Sequence, residues 1–301
     1  NPNDRSQLDP ANLRNKAITD LFEPGSTMKP ITVAAALESG KYKPETLIDT
    51  SPGYRRFGRF TIRDFRDYGA LSLNDIIVKS SNVGVSKIAT ELGGDVLRNL
   101  YARLGIGQAT GIGFPGEAVG VLPARPKWRP VEEATLSYGY GLSVNALQLA
   151  QAYMVLANGG IRYPVSLLKQ DQKPEGHRVL SEEVTLAVRN MLRNAVAKGT
   201  GGRAQPGLYA AGGKTGTVHL VGAQGYEDSQ YKAIFAGMAP IDDPRIVTVV
   251  AVDAPQSGEY YGGEVAAPVF ARVMGDALRL LNVKPELEVS DAKATASGER
   301  G

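Results

Sequence analysis

Glu23-Pro24-Gly25-Ser26-Thr27-Met28-Lys29-Pro30 opens a long apolar run, and two short motifs, Ser80-Ser81-Asn82 and Lys214-Thr215-Gly216-Thr217, follow downstream. A serine and a lysine three residues apart on a helix lie on one face, so the amine can reach the hydroxyl and take its proton. Ser26 is thereby a candidate covalent nucleophile and Lys29 its candidate base. From Thr27 to Ser39 the chain is apolar nearly all round (Met28, Ile31, Val33, Ala34, Ala35, Ala36, Leu37) and stops at Gly40, which predicts a helix through the interior. Pro30 is tolerable there because first-turn amides have no intrahelical acceptor. Ser-x-x-Lys alone is a weak signal in a chain of this length; three motifs in a fixed order are a strong one.

Working outward, helical patterns span about residues 73–79, 83–92 and 95–104, while 105–131 is rich in Gly and Pro and reads as a loop. Residues 143–158 form a second largely apolar helical run, and Ser181-Glu182-Glu183 opens an amphipathic helix to about Lys198, its acids suited to the positive end. The period then changes to two. Runs at 208–220, 230–238 and 245–253 read as strands of an antiparallel sheet, and a helix over about 264–281 closes the domain. The fold class is therefore α/β in the α+β sense, one domain over residues 1–282, because a single site must draw on residues 26 to 217. Residues 283–301 are polar, lack aromatics and read as a disordered tail.

Composition removes several chemistries. The 301 residues contain no cysteine, which excludes disulfides, thiol nucleophiles and thiolate metal sites. Only His177 and His219 could serve a Ser-His-Asp triad or a zinc site, and neither has the surrounding pattern, so no metal or cofactor is called for. Net charge is +3, with the basic residues read as ordinary surface charge showing no run or aromatic-interleaved stripe; a nucleic-acid partner is not indicated. No stretch approaches ~18 consecutive apolar residues.

Ser26 at a helix start gains from the positive end of the helix dipole. Lys29 acts as a base only when neutral, and burial or a second cation such as Lys214 would lower its pKa. Alternation sends Lys214 and Gly216 to one face of their strand and Thr215, Thr217 and His219 to the other, with His219 near the cleft mouth. Both faces can serve one cleft if the strand borders it edge-on, where Gly216 would let a ligand backbone approach. The amides of Ser26 and Thr217 are the natural pair for an oxyanion.

The run Ala17 to Pro30 and the run Ile77-Val78-Lys79-Ser80-Ser81-Asn82-Val83-Gly84 resemble the first two motifs of class B penicillin-binding proteins. The stretches Thr135 to Val144 and Tyr260 to Phe270 are most similar to the division-specific FtsI type, also called penicillin-binding protein 3. The resemblance implies a β-lactamase/transpeptidase-like fold, an antiparallel sheet with helices on both faces. It implies a D,D-transpeptidase that cross-links septal peptidoglycan and is acylated by β-lactams. Ser26 would be acylated, Lys29 its base, Ser80 a proton relay, Asn82 a donor-peptide ligand and Lys214 the source of the site's field. Thr215 and Thr217 would bind the terminal carboxylate of a D-Ala-D-Ala stem, and Tyr138, Tyr140, Tyr231, Tyr260 and Tyr261 would line the site. It also implies a periplasmic enzyme whose full-length form has an upstream strand, a pedestal domain, an inner-membrane helix and a glycosyltransferase partner of the FtsW type. His219 stands where such proteins often carry an arginine.

Rival readings share the trio. A class A β-lactamase would need a deacylating glutamate, which Glu133-Ala134-Thr135-Leu136-Ser137 matches only in part. A β-lactam sensor would need a signalling segment, and a D,D-carboxypeptidase is disfavoured by the FtsI-like stretches alone.

Overall fold

The structure, a computed structural model, describes residues 14–222, 225–256 and 258–287. A short helix α1 (Lys16–Thr19) and a 3-10 turn (Gly25–Met28) lead into α2 (Lys29–Glu38). Strands β1 (Leu47–Asp49), β2 (Tyr54–Phe57), β3 (Phe60–Arg63) and β4 (Ala70–Ser72) follow, then helices α3 (Leu73–Lys79), α4 (Asn82–Leu92), α5 (Gly94–Arg103), α6 (Pro130–Leu136) and α7 (Ala146–Ala157). After the small pair β5 (Ile161–Arg162) and β6 (His177–Arg178) come α8 (Glu182–Lys198), β7 (Gly212–Gly222), β8 (Gly225–Ala239), β9 (Ile246–Asp253) and α9 (Gly262–Leu280). Among the described residues no helix is long and apolar enough to cross a membrane.

The main sheet is antiparallel with order β7-β8-β9. Alternation along β8 dresses both faces. Ala233, Phe235 and Ala239 join Ala266, Phe270 and Met274 of α9 in one core, whereas Ile234, Ala236 and Met238 join residues of α2, α7 and α8 in another. Helices on both faces of an antiparallel sheet are what the resemblance implies. Because β8 is central, β7 is an edge of the sheet among the described residues, where it can border a cleft.

The helix expected over Thr27–Ser39 splits into the 3-10 turn and α2, whose residues from Lys29 to Ala36 are all buried. The run expected to start at 143 begins as a helix only at Ala146. Asn145 caps it, exchanging bonds of 2.8 and 3.0 Å with Gln148, while Ser143 and Val144 bridge instead to Val121 and Phe22. Residues 130–136, partly inside the expected loop, form α6; Pro130 at its first turn and Glu132 and Glu133 behind it are helix-start signals that the Gly and Pro upstream outweighed. Strand β7 starts at Gly212 because Leu208 and Ala210 are engaged elsewhere: Leu208 O accepts from the amides of Glu286 and Leu287, and the Ala210 amide donates to Glu286 Oε2. The expected tail is thus held at least as far as Leu287; residues 288–301 lie outside the described residues.

The basic residues are not evenly spread, contrary to the expectation of ordinary surface charge. The hairpin β2–β3 and its continuation to Tyr68 interleave five arginines with five aromatics, and five cation–π contacts sit within it. Arginines and rings alternate in ones and twos, so the segment holds no unbroken basic run, but it is an aromatic-interleaved stripe, contrary to the expectation that the chain has none.

Candidate active site

The turn bearing Ser26 is fixed from several sides. Thr27 Oγ1 donates to Pro24 O at 2.7 Å, Tyr153 Oη to Thr27 O at 2.8 Å, and the Gly25 amide to Gly139 O. Gly25 has φ +56°, and a β-carbon there would fall 2.4 Å from Val218 Cγ1; one on Gly139 would fall 2.3 Å from Gly25 O. The 139 loop, the serine turn and β7 therefore lie close together in three layers. Ser26 itself stays half-buried at their margin.

Lys29 is wholly buried, and its amine bonds to Ser80 O at 2.5 Å and Ser80 Oγ at 3.0 Å. Ser80 reaches it by adopting the left-handed conformation (φ 59°) at the end of α3. Burial holds the Lys29 pKa well below its usual range; the Lys214 ammonium lowers it further, and Asp64 opposes both. Lys214 is buried as well, and burial brings it to about 7.

Asp64 has no motif to announce it, yet it organises the second one. Its carboxylate accepts from Ser81 Oγ (2.5 Å) and from the amides of Asn82 (2.6 Å) and Val83 (3.0 Å), at the start of α4. Asn82 gives one amide N–H to Arg63 O at 3.0 Å. Thr200 is a second residue that the sequence reading missed. Its hydroxyl lies 2.8 Å from Thr215 Oγ1, which also accepts from Lys214 Nζ at 3.2 Å. Both partners are remote in sequence from what they hold, so no local pattern could reveal them.

On β7, Thr217 Oγ1 accepts from the Gly262 amide at the start of α9, 3.0 Å away. Gly216 makes a close approach within the protein itself. Its absent side chain would meet Pro24 O at 3.1 Å, Thr27 Cγ2 at 3.2 Å and Ile234 Cβ at 3.4 Å, so on that side the space is taken by the serine turn.

The tyrosines divide into two groups. His219 and Tyr231 are cross-strand partners with rings 4.6 Å apart; Tyr231 stacks on Tyr260 at 4.2 Å, and Tyr260 meets Tyr261 at a tilt with centroids 4.4 Å apart. That row runs from β7 to the start of α9. Tyr138 and Tyr140 instead form an edge-on pair, 5.5 Å apart, flanking Gly139 where it touches Gly25. Tyr138 packs against the core between α2 and α3, and Tyr140 lines a small separate pocket with Trp128. Burial pushes the Tyr140 hydroxyl up to about 12 and raises that of Tyr138 as well. Glu133, the partial counterpart of a deacylating glutamate, accepts from the Gly94 amide at 3.1 Å, at the start of α5. The arrangement joins a serine at a helix start, a buried amine linked to a second serine, a second buried amine, and a hydroxyl-bearing sheet edge. Such a set can perform acyl transfer with proton shuttling.

The model of the penicillin-binding protein transpeptidase domain matches residues 1–275. The peptidoglycan D,D-transpeptidase FtsI of Escherichia coli is 42% identical over 287 residues, covering 95% of this chain and 48% of that protein. PbpC of Pseudomonas aeruginosa is 38% identical over 298 residues, 98% of this chain and 52% of that protein. The chain thus spans about half the length of the curated relatives it matches. Among solved structures, the apo TP domain of penicillin-binding protein 3 from Burkholderia pseudomallei superposes with a TM-score of 0.87 at 44% identity, over 91% of this chain and 84% of that one.

Proposed function

The chain belongs to the penicillin-binding protein transpeptidase family, and from that premise we propose that it is the catalytic domain of a peptidoglycan D,D-transpeptidase. Ser26 Oγ attacks the carbonyl between the two D-alanines of a donor stem while neutral Lys29 takes its proton. The oxyanion sits between the amides of Ser26 and Thr217. The proton passes through Ser80 to the departing D-alanine amine, and an acceptor-stem amine then attacks the acyl-enzyme to complete the cross-link. Lys214, Thr215 and Thr217 hold the terminal carboxylate, Asn82 the donor backbone, and the row from His219 to Tyr261 borders the peptide. β-Lactams acylate the same serine. Following the FtsI relatives, the cross-link is septal, and the full-length protein works at the periplasmic face of the inner membrane beside an FtsW-type glycosyltransferase.

The observation that supports this most directly is the wholly buried Lys29 amine bonded to Ser80, one helical turn from Ser26. The same lysine is exposed and protonated in a chance Ser-x-x-Lys. Intact-protein mass spectrometry after incubation with a penicillin should show one adduct, persisting for many minutes and absent in Ser26→Ala. An adduct elsewhere, or one shed within seconds, would refute the transpeptidase reading.

A further inference from the structure

We infer that the β2–β3 hairpin and its continuation to Tyr68 form a docking surface for the peptidoglycan strand that carries the acceptor stem, a sugar polymer bearing carboxylates; this rests on the function proposed above. Residues 54–68 hold five arginines against two aspartates, and one of these, Asp64, is committed to the start of α4. Among the described residues, Arg56, Arg59, Arg63 and Arg66 form no ion pair, although all four are exposed. Register pairs Tyr54 with Arg63 and Arg56 with Thr61, which puts Tyr54, Arg56, Thr61 and Arg63 on one face of the ribbon. The guanidinia of Arg56 and Arg63 lie 5.5 and 5.4 Å from the Tyr54 ring, and that of Arg59 lies 5.0 Å from Phe60. A guanidinium held over a ring loses little further freedom on binding, and its N–H edge suits a carboxylate.

The other face fastens the ribbon to the cleft. Arg55 donates to Ser86 O and Thr90 Oγ1 on α4, and Arg63 O and Asp64 anchor Asn82. A polymer on this surface therefore lies beside the second motif, on a different rim from the aromatic row of β7 and α9. Two strands must reach one serine, and the molecule offers two rims. The exposed rings of Tyr54, Phe60 and Phe65 offer apolar planes to the flat faces of sugars, and the arginines match stem carboxylates at intervals. A membrane surface fits less well: cations and rings alternate, whereas interfacial segments collect a continuous apolar face.

The test uses protein first acylated with a penicillin, so that the donor site is blocked, and measures anisotropy of labelled, uncross-linked peptidoglycan strands. Wild type should bind them and weaken as salt rises. Arg56→Glu/Arg59→Glu should lower affinity roughly tenfold or more, because two attractive charges on the surface become repulsive ones, while penicillin acylation continues at the wild-type rate and so reports an intact fold. Lys169→Glu/Lys173→Glu, an equal charge change on another exposed segment, should leave strand binding unaltered. Equal losses of affinity in both variants, undiminished binding in the first, or binding to anionic phospholipid vesicles but not to strands would overturn the proposal. Failure of acylation itself would instead count against the transpeptidase reading.

Discussion

At the scale of single residues, the two buried lysines decide the chemistry, because low-dielectric surroundings disfavour two like charges in one cleft. Lys214 near 7 is partly charged at neutral pH, and an arriving carboxylate would hold its proton in place. A charged Lys214 in turn keeps Lys29 neutral, the form a base requires. In the mechanism proposed above, substrate binding and base activation would then be one event. In Lys214→Met the second cause of the Lys29 depression is removed and burial alone remains. The acidic limb of the acylation rate against pH should move to higher pH, with slower acylation at pH 7. A limb that stays in place would show that Lys214 does not act on Lys29. The pairing of these lysines was legible from motif order, but their burial was not. Asp64 and Thr200 were illegible altogether, since an aspartate or a threonine in a loop carries no pattern until the fold brings its partner to it.

Among elements, the serine turn, the 139 loop and β7 act as a stack whose spacing is set by glycines. Gly139 (φ +81°) and Gly141 (φ +78°) have the same left-handed backbone, but only at Gly139 would a β-carbon strike something, Gly25 O at 2.3 Å; nothing lies within 4 Å at Gly141. Alanine at either position should cost about 1–2 kcal/mol for the backbone conformation. Gly139→Ala should in addition displace Gly25 and Ser26 and slow penicillin acylation, whereas Gly141→Ala should acylate at the wild-type rate. Thermal unfolding and acylation rates measured on both variants check this, and equal acylation in the two would mean that the stack does not position the serine. Most helices were readable because their apolar period is local. The contact of Gly216 with the serine turn was illegible for the opposite reason: a glycine in a strand signals a close approach without saying by what, and on one side the neighbour is the chain's own turn.

For the molecule as a whole, burying Lys29 and Lys214 makes stability rise with pH, in the same direction as ordinary acid unfolding but in a window several pH units higher. In the unfolded chain each lysine keeps its proton up to about pH 10.4. Folded, Lys214 gives its proton up near 7, and Lys29 is depressed likewise. Between about pH 7 and 10 the unfolded state therefore binds more protons, so raising the pH stabilises the fold, by about 1.4 kcal/mol per pH unit for each whole proton of difference. Above that window the sign reverses, because the buried hydroxyls of Tyr101 and Tyr153 are pushed upward and keep protons that the unfolded chain sheds. Urea midpoints should consequently rise from pH 7 to pH 10 in the wild type. Lys214→Met, which has similar length and no proton to lose, should be steadier over the same range and more stable than wild type at pH 7. A wild-type midpoint that is flat or falls across this window, or a Lys214→Met slope equal to it, would mean that the lysine charges are compensated inside the folded cleft, and the neutral base assigned to Lys29 would lose its physical ground.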